Sequence, residues 1–354
     1  MKTLNAQLRD AALLHLVDLQ RFANTQVREM LALLAKTDVK LFERIAIALS
    51  KLPIDSFTVR RLDALLGGVW TANEGAYRQL GTRMAVDMRE LSAVELGNSE
   101  RLFTELLPKG AEVASPNLDA VWAATKAEPF RGRLLGEWFA SLGVQRQQRI
   151  SDSLRIGYTT GATIGEMITS LRGTRAQNYA DGLLNIDRAH AETIVRTATS
   201  HTAAFARSEF YAENADLISI EQWVSTLDNR TSEECMARDG RTYTSPDHEP
   251  IDHEFEWGEG PGAIHFNCRS VSVPVVDLAS RLGIKLPEFD RAAQGGTVPA
   301  STSYGEWLGG ISAEQQDRIL GPTRARDFRS GKVGFDKFFN DKGKFLTLEE
   351  MRAR

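Results

Sequence analysis

Cys235 and Cys268 are the only cysteines in 354 residues, and three of the six histidines, His248, His253 and His265, stand between them. Thiolates and imidazoles in one short stretch are metal-ligand chemistry. A tetrahedral zinc ion takes four ligands from Cys, His or carboxylate. Cys235, His265 and Cys268 supply three, and the His-x-x-Cys spacing lets two of them converge from one tight turn. The fourth would come from Asp228, His248 or His253. Two other states stay open on the residues alone: a pair of reduced, buried thiols, or a Cys235–Cys268 disulfide, which a reducing compartment disfavours. Around the ligand candidates stand Trp223, Asp228, Arg230, Thr231, Gly240, Pro261 and Arg269. An arginine fork binds a carboxylate through two parallel hydrogen bonds, so Asp228, Arg230 and Arg269 can also serve only to pin the stretch.

An enzyme is the competing chemistry. A catalytic metal keeps an open position for water and has a general base beside it. Glu233, Glu234 or Asp239 could be that base in a metal-dependent nuclease or hydrolase. No second carboxylate-rich motif accompanies them, so the sequence reads as non-enzymatic.

The elements that must position this stretch are mostly helical. Residues 4–52 place Leu16, Leu19, Ala23, Val27, Met30 and Leu34 at helical spacing. Pro53 punctuates that helix, and Asp55 or Ser56 caps the next. Gly67-Gly68 is expected to break the second helix, with a third over 70–96. Residues 97–117, with Gly97, Pro108, Gly110 and Pro116, read as a linker. Helix resumes at Leu118. Two helices then meet at a turn over Gly157–Gly161, and Arg146, Arg149, Arg155, Arg172 and Arg175 read as a solvated face. Asp187 is expected to cap a further helix, on whose apolar side His201 packs.

Strand patterning appears only afterwards, at 218–227 and 271–276, with Asp239-Gly240 as a turn signal. The acidic segment 246–259 is expected to be exposed and mobile. Residues 290–303 read as a flexible linker by composition. Capping boxes at Ser312/Gln315 and Thr347/Glu350 open helices of a tail. Phe328, Val333, Phe335, Phe338 and Phe339 are expected to pack back on the body. The predicted fold is mainly α, with a small α+β, β-hairpin-containing Cys/His knot domain and a short helical C-terminal tail. Its expected parts are a helical N-terminal region (1–110), a second helical region (118–215), the knot (216–289), the linker (290–303) and the tail (304–354).

Composition sets the class. Apolar residues make up 42% and charged residues 25%, as in globular proteins. The net charge of −4 argues against a protein built to coat nucleic acid. Charges scattered through residues 1–20 predict no signal peptide, and no apolar run reaches membrane-spanning length.

Trp223, Asp228-x-Arg230-Thr231, Cys235, Asp239-Gly240, Pro261 and His265-x-x-Cys268-Arg269 together resemble the signature of phage head morphogenesis proteins, the minor head proteins similar to the F protein of phage Mu. Ile194-x-Arg196-Thr197, the Gly157–Gly161 turn and the tail block from Tyr304 extend the resemblance over about 145–350. Many relatives have Cys-x-x-Cys and His-x-x-Cys-Arg-Cys where this chain has Ser232 and Ser270. Only Cys235, His265 and Cys268 therefore carry over as candidate ligands, for one zinc ion. The resemblance implies a minor capsid protein in the interior of the virion head, assembled in the host cytoplasm. Its implied partners are the portal protein, other head proteins and packaged DNA, with roles in procapsid assembly, DNA packaging or ejection and no membrane contact.

Overall fold

A computed structural model describes residues 4–51, 58–107, 112–276, 290–299 and 301–353. Six helices come first: α1 (Leu4–Ser50), α2 (Val59–Leu106), α3 (Leu118–Ala127), α4 (Leu135–Thr159), α5 (Ile164–Arg172) and α6 (Asn185–Glu213). The site stretch holds β1 (Ile220–Val224), α7 (Glu233–Arg238), β2 (Thr242–Thr244), β3 (Pro250–Ile251) and β4 (Val271–Val275). After it come β5 (Asp290–Ala293), β6 (Gly296–Pro299), α8 (Tyr304–Gly310), α9 (Ala313–Leu320), α10 (Pro322–Arg329) and α11 (Leu348–Ala353). The fold is mainly α with a small α+β part, as expected. Pro53, Asp55, Ser56, Pro108 and Gly110 lie outside the described residues.

The chain divides into two compact units. One comprises residues 21–90 and 126–199. Its core is Leu41, Ile45 and Leu49 of α1, Leu62, Leu66 and Val69 of α2, Ile150 and Leu154 of α4, and Met167 and Leu171 of α5. Burying such side chains stabilises by about 1.5–3 kcal/mol each before chain entropy is counted. Gly67-Gly68 does not break α2. Two glycines cost roughly 2 kcal/mol of helix propensity, which the buried Leu66 and Val69 on either side offset. The expected third helix is therefore the continuation of α2, which also takes in Gly97 and Asn98 of the expected linker.

The arginines of α4 correct another expectation. Arg146 is 2% exposed and pairs with Asp38 of α1. Arg188 reaches the same carboxylate at 2.9 Å. Arg149 pairs with Asp187, which is buried in the first turn of α6 rather than capping it. These cations sit in the unit because each has a carboxylate to neutralise it; without one, burial would cost several kcal/mol.

The other unit comprises residues 1–20, 91–125 and 200–354. Its sheet has the order β3-β2-β1-β4, all neighbours antiparallel. Strand β1 runs Ile220↔Val275 to Val224↔Val271 against β4, and Ile220↔Thr244 to Gln222↔Thr242 against β2. Side chains alternate across a strand, so β1 serves two cores. Val224 joins Phe103, Phe210, Val271 and Val273 on one face. Trp223 joins Tyr243, Ile264, Cys235 and Cys268 on the other.

Residues 290–299 are not a flexible linker. Strands β5 and β6 form a hairpin from Asp290↔Pro299 to Ala293↔Gly296, with Gly295 (φ +98°) in the turn. Composition suggested a linker because small and polar residues dominate, but Arg291 within it is 3% exposed and anchored. The tail packs as expected. Phe338, Phe339, Trp307 and Leu308 share a core with Leu227, Met236 and Phe255 of the site stretch. Its helix starts follow the sequence: Ser303/Glu306, Ser312/Gln315 and Thr347/Glu350 are reciprocal capping pairs.

Candidate metal centre

Cys235 is placed by α7. Ser232 is the N-cap of that helix, its Oγ accepting from the Cys235 amide at 3.3 Å. His265 and Cys268 lie on the turn that leads into β4, as the His-x-x-Cys spacing predicts. The structure brings all three side chains together: their ligand atoms lie within 4.8 Å of one another. Cys235 Sγ is 3.2 Å from His265 Nε2 and 3.7 Å from Cys268 Sγ. Both thiols are free, so the disulfide alternative is not the state described.

The surroundings orient these atoms and set their hydrogen bonding. His265 Nδ1 lies 2.9 Å from the Phe266 carbonyl. A carbonyl only accepts, so Nδ1 carries a proton and Nε2 is the nitrogen turned to the sulfurs. The Gly262 amide donates to Cys268 Sγ at 3.2 Å. Burial opposes ionisation of Cys268, but hydrogen bonds from Cys235 and His265 outweigh it and hold its thiol well below the usual range. Burial and the neighbouring Cys268 push the Cys235 thiol up instead.

None of the residues considered for a fourth ligand joins them. Asp228 receives both arms of Arg269, Nη1 at 2.6 Å and Nη2 at 2.7 Å. His248 stacks on Trp257 with ring centroids 4.2 Å apart and meets Glu221 Oε1 at 3.1 Å. His253 Nε2 lies 2.9 Å from the Thr242 carbonyl, the ring standing edge-on to Tyr243. The acidic segment 246–259 is therefore not loose: its aromatic and imidazole rings cover one face of the sheet.

The other motif residues build the frame. Trp223 is fully buried and donates from Nε1 to Ser225 Oγ at 3.1 Å; Ser225 Oγ in turn donates to the Cys235 carbonyl at 2.8 Å. Thr231 Oγ1 donates to the Thr226 carbonyl. Gly240 (φ +80°) returns the chain beside β1, its amide bonding Trp223 O at 2.8 Å. Pro261 is buried, and Arg230 is exposed with only a 3.9 Å approach to Asp228.

Three frame residues were not legible as such. Asp239 read as half of a turn signal and as one candidate general base. In the structure its carboxylate accepts from the Ser225 amide at 2.7 Å, the Tyr304 amide at 2.8 Å and both Nη atoms of Arg291 at 3.0–3.1 Å. Arg291 was hidden in the expected linker. Gly262 (φ +91°) passes so close to α6 that a Cβ there would sit 2.8 Å from the Ser200 carbonyl. A glycine after proline carries that signal only weakly.

No curated protein and no solved structure matches the chain. Residues 148–273, which hold Cys235, His265 and Cys268 and every frame residue named but Arg291, match the model of the family described as Phage Mu protein F like protein.

Proposed function

We propose that the protein is a minor structural protein of a phage head that associates with the portal inside the procapsid and acts in head assembly and in DNA packaging or ejection. The observation that carries this reading is the family match over 148–273, which points to phage head morphogenesis. The match ends at residue 273, so the tail adds only its packing. The near-complete burial of both thiols weighs against a hydrolytic centre, since a substrate needs access to the metal.

In this reading Cys235, His265 and Cys268 hold one zinc ion that fastens α7 to the turn before β4. The donor set fits. Two thiolates about 2.3 Å from a tetrahedral zinc lie roughly 3.8 Å apart, and the two sulfurs are 3.7 Å apart. The amide donated to Cys268 and the fixed tautomer of His265 are the outer partners such ligands use. The metal would supply folding energy; Ser232 and Ser270 would cap the helix and bond Ser225 rather than ligate.

The test is a native mass spectrum of the protein mixed with the portal protein of the same phage. A defined complex whose minor component is heavier by one zinc supports both parts. A complex without added mass keeps the function and removes the metal. Absence of a complex under every assembly condition removes portal docking, and DNA hydrolysis lost in His265→Ala would then favour the nuclease.

A further inference from the structure

Helices α1 and α2 run antiparallel through the unit formed by residues 21–90 and 126–199: Arg83 reaches Glu29 at one end, and Arg44 donates to the Gly68 carbonyl at the other. Between them lies an open groove of about 900 Å³. Two turns of a helix about 10 Å across occupy roughly the same volume.

The groove has two chemistries. Leu41 and Leu80 are buried beneath it, and Leu33 stands 41% exposed at its edge. On the α2 side Ala72, Gly75 and Ala76 leave the backbone approachable. Along the α1 side run Lys36, Lys40 and Arg44, one per turn. Among the described residues neither Lys36 nor Lys40 has an ion-pair partner. Asp38, the acid between them in sequence, turns inward to Arg146 and Arg188. The remaining lining charges are Glu29 and Arg83, which lie 3.7 Å apart. The groove thus presents a row of unneutralised cations beside an apolar floor.

We infer that this groove seats an amphipathic helix of a partner protein. The helix would turn its apolar face to Leu33 and the alanines, and present carboxylates at four-residue spacing to Lys36, Lys40 and Arg44. An amphipathic helix in a groove is read as apolar anchors at i, i+3, i+4 and i+7, and acids at i and i+4 share one flank. A nucleic-acid backbone would satisfy the cations but would lay sugar and phosphate against Leu33 and the alanines, which gives the apolar floor nothing to bury. The inference deepens the head-assembly reading, on which it rests for where such a partner is met.

The experiment is fluorescence anisotropy of the full chain with a labelled synthetic helix of about five turns, carrying leucines on one face and glutamates on one flank. Saturable binding is expected, falling about tenfold or more in the Lys36→Glu/Lys40→Glu variant and also in Leu33→Asp. A peptide with lysines in place of the glutamates should recover binding to the Lys36→Glu/Lys40→Glu variant. Circular dichroism of each variant checks that the helices persist. No peptide binding, binding indifferent to both sets of substitutions, or lysine-dependent binding of duplex DNA in place of the peptide would overturn the inference. The native spectrum with the portal protein separates the two proposals. A portal complex unaffected by the groove variants leaves the head-assembly reading and removes the groove; peptide binding without any portal complex does the reverse.

Discussion

Cys235, His265 and Cys268 converge because each is pinned by a neighbour of a different kind. Ser232 caps the helix under Cys235, the Phe266 carbonyl fixes the His265 ring, and the Gly262 amide meets Cys268. Removing one sulfur should therefore cost more than a methyl-sized cavity. Cys268→Ala is expected to abolish zinc retention after dialysis, read by elemental analysis, and to lower the urea midpoint. Zinc retained at full stoichiometry by that variant would exclude Cys268 as a ligand. Asp228 and Arg269 form the adjacent fork, partly open to solvent. Asp228→Ala should cost about 2 kcal/mol, the size of a charge-assisted hydrogen-bond pair reduced by screening, with zinc content unchanged. Urea titration and metal analysis on one sample distinguish this structural role from a ligand role.

At the scale of elements, the site depends on two turns and a hairpin. Gly262 must run at φ +91° against the Ser200 carbonyl of α6. Gly262→Ala adds a strained conformation and a clash with backbone, which cannot move aside as a flexible side chain would. A loss of about 1–3 kcal/mol is expected, whereas the same change at Gly240, whose Cβ would meet open space, should carry only the positive-φ strain. Equal losses at both positions would show that the approach to α6 is unimportant. The β5–β6 hairpin delivers Arg291 to Asp239, a buried pair with side-chain exposures of 4% and 0%. Arg291→Ala leaves that carboxylate buried without its cation, and breaking such a pair typically costs about 3–5 kcal/mol. Thermal melts of that variant should fall furthest among the single changes named here.

At the scale of the molecule, the unit that holds the site gathers long-range partners around one carboxylate. Glu95 of α2 is fully buried, 2.6 Å from Arg207 of α6 and 2.6 Å from His15 of α1. Burial alone would raise its pKa, but Arg207 and His15 outweigh it and hold it below the ordinary value. A depressed carboxylate contributes stability that is complete above its unfolded pKa, about 4.3, and is lost as pH falls through the lower folded value. The urea midpoint should thus decline steeply below about pH 4.3. Arg207→Ala should both lower stability at neutral pH and flatten that decline. An unchanged acid limb in the variant would place the sensitivity elsewhere.

Much of this protein was written in its sequence. Helical spacing of Leu19, Ala23, Val27 and Met30, the serine and threonine caps of the tail, and the His-x-x-Cys turn are local signals, fixed by residues within a turn or two of one another. They determined the helical class, the tail helices and the identity of the three residues that meet. Tertiary packing decided what local signals contradict or omit. It carried α2 through Gly67-Gly68, because buried leucine and valine outweigh glycine's propensity cost. It drew Arg146 and Arg149 inside, because Asp38 and Asp187 arrive from other helices to neutralise them. It turned an expected linker into a hairpin, because Arg291 found Asp239 52 residues away. It also directed His248, His253 and Asp228 to Glu221, Thr242 and Arg269 rather than to the sulfurs. A side chain's choice among partners depends on which of them the fold brings within about 3 Å, and no spacing along the chain encodes that distance.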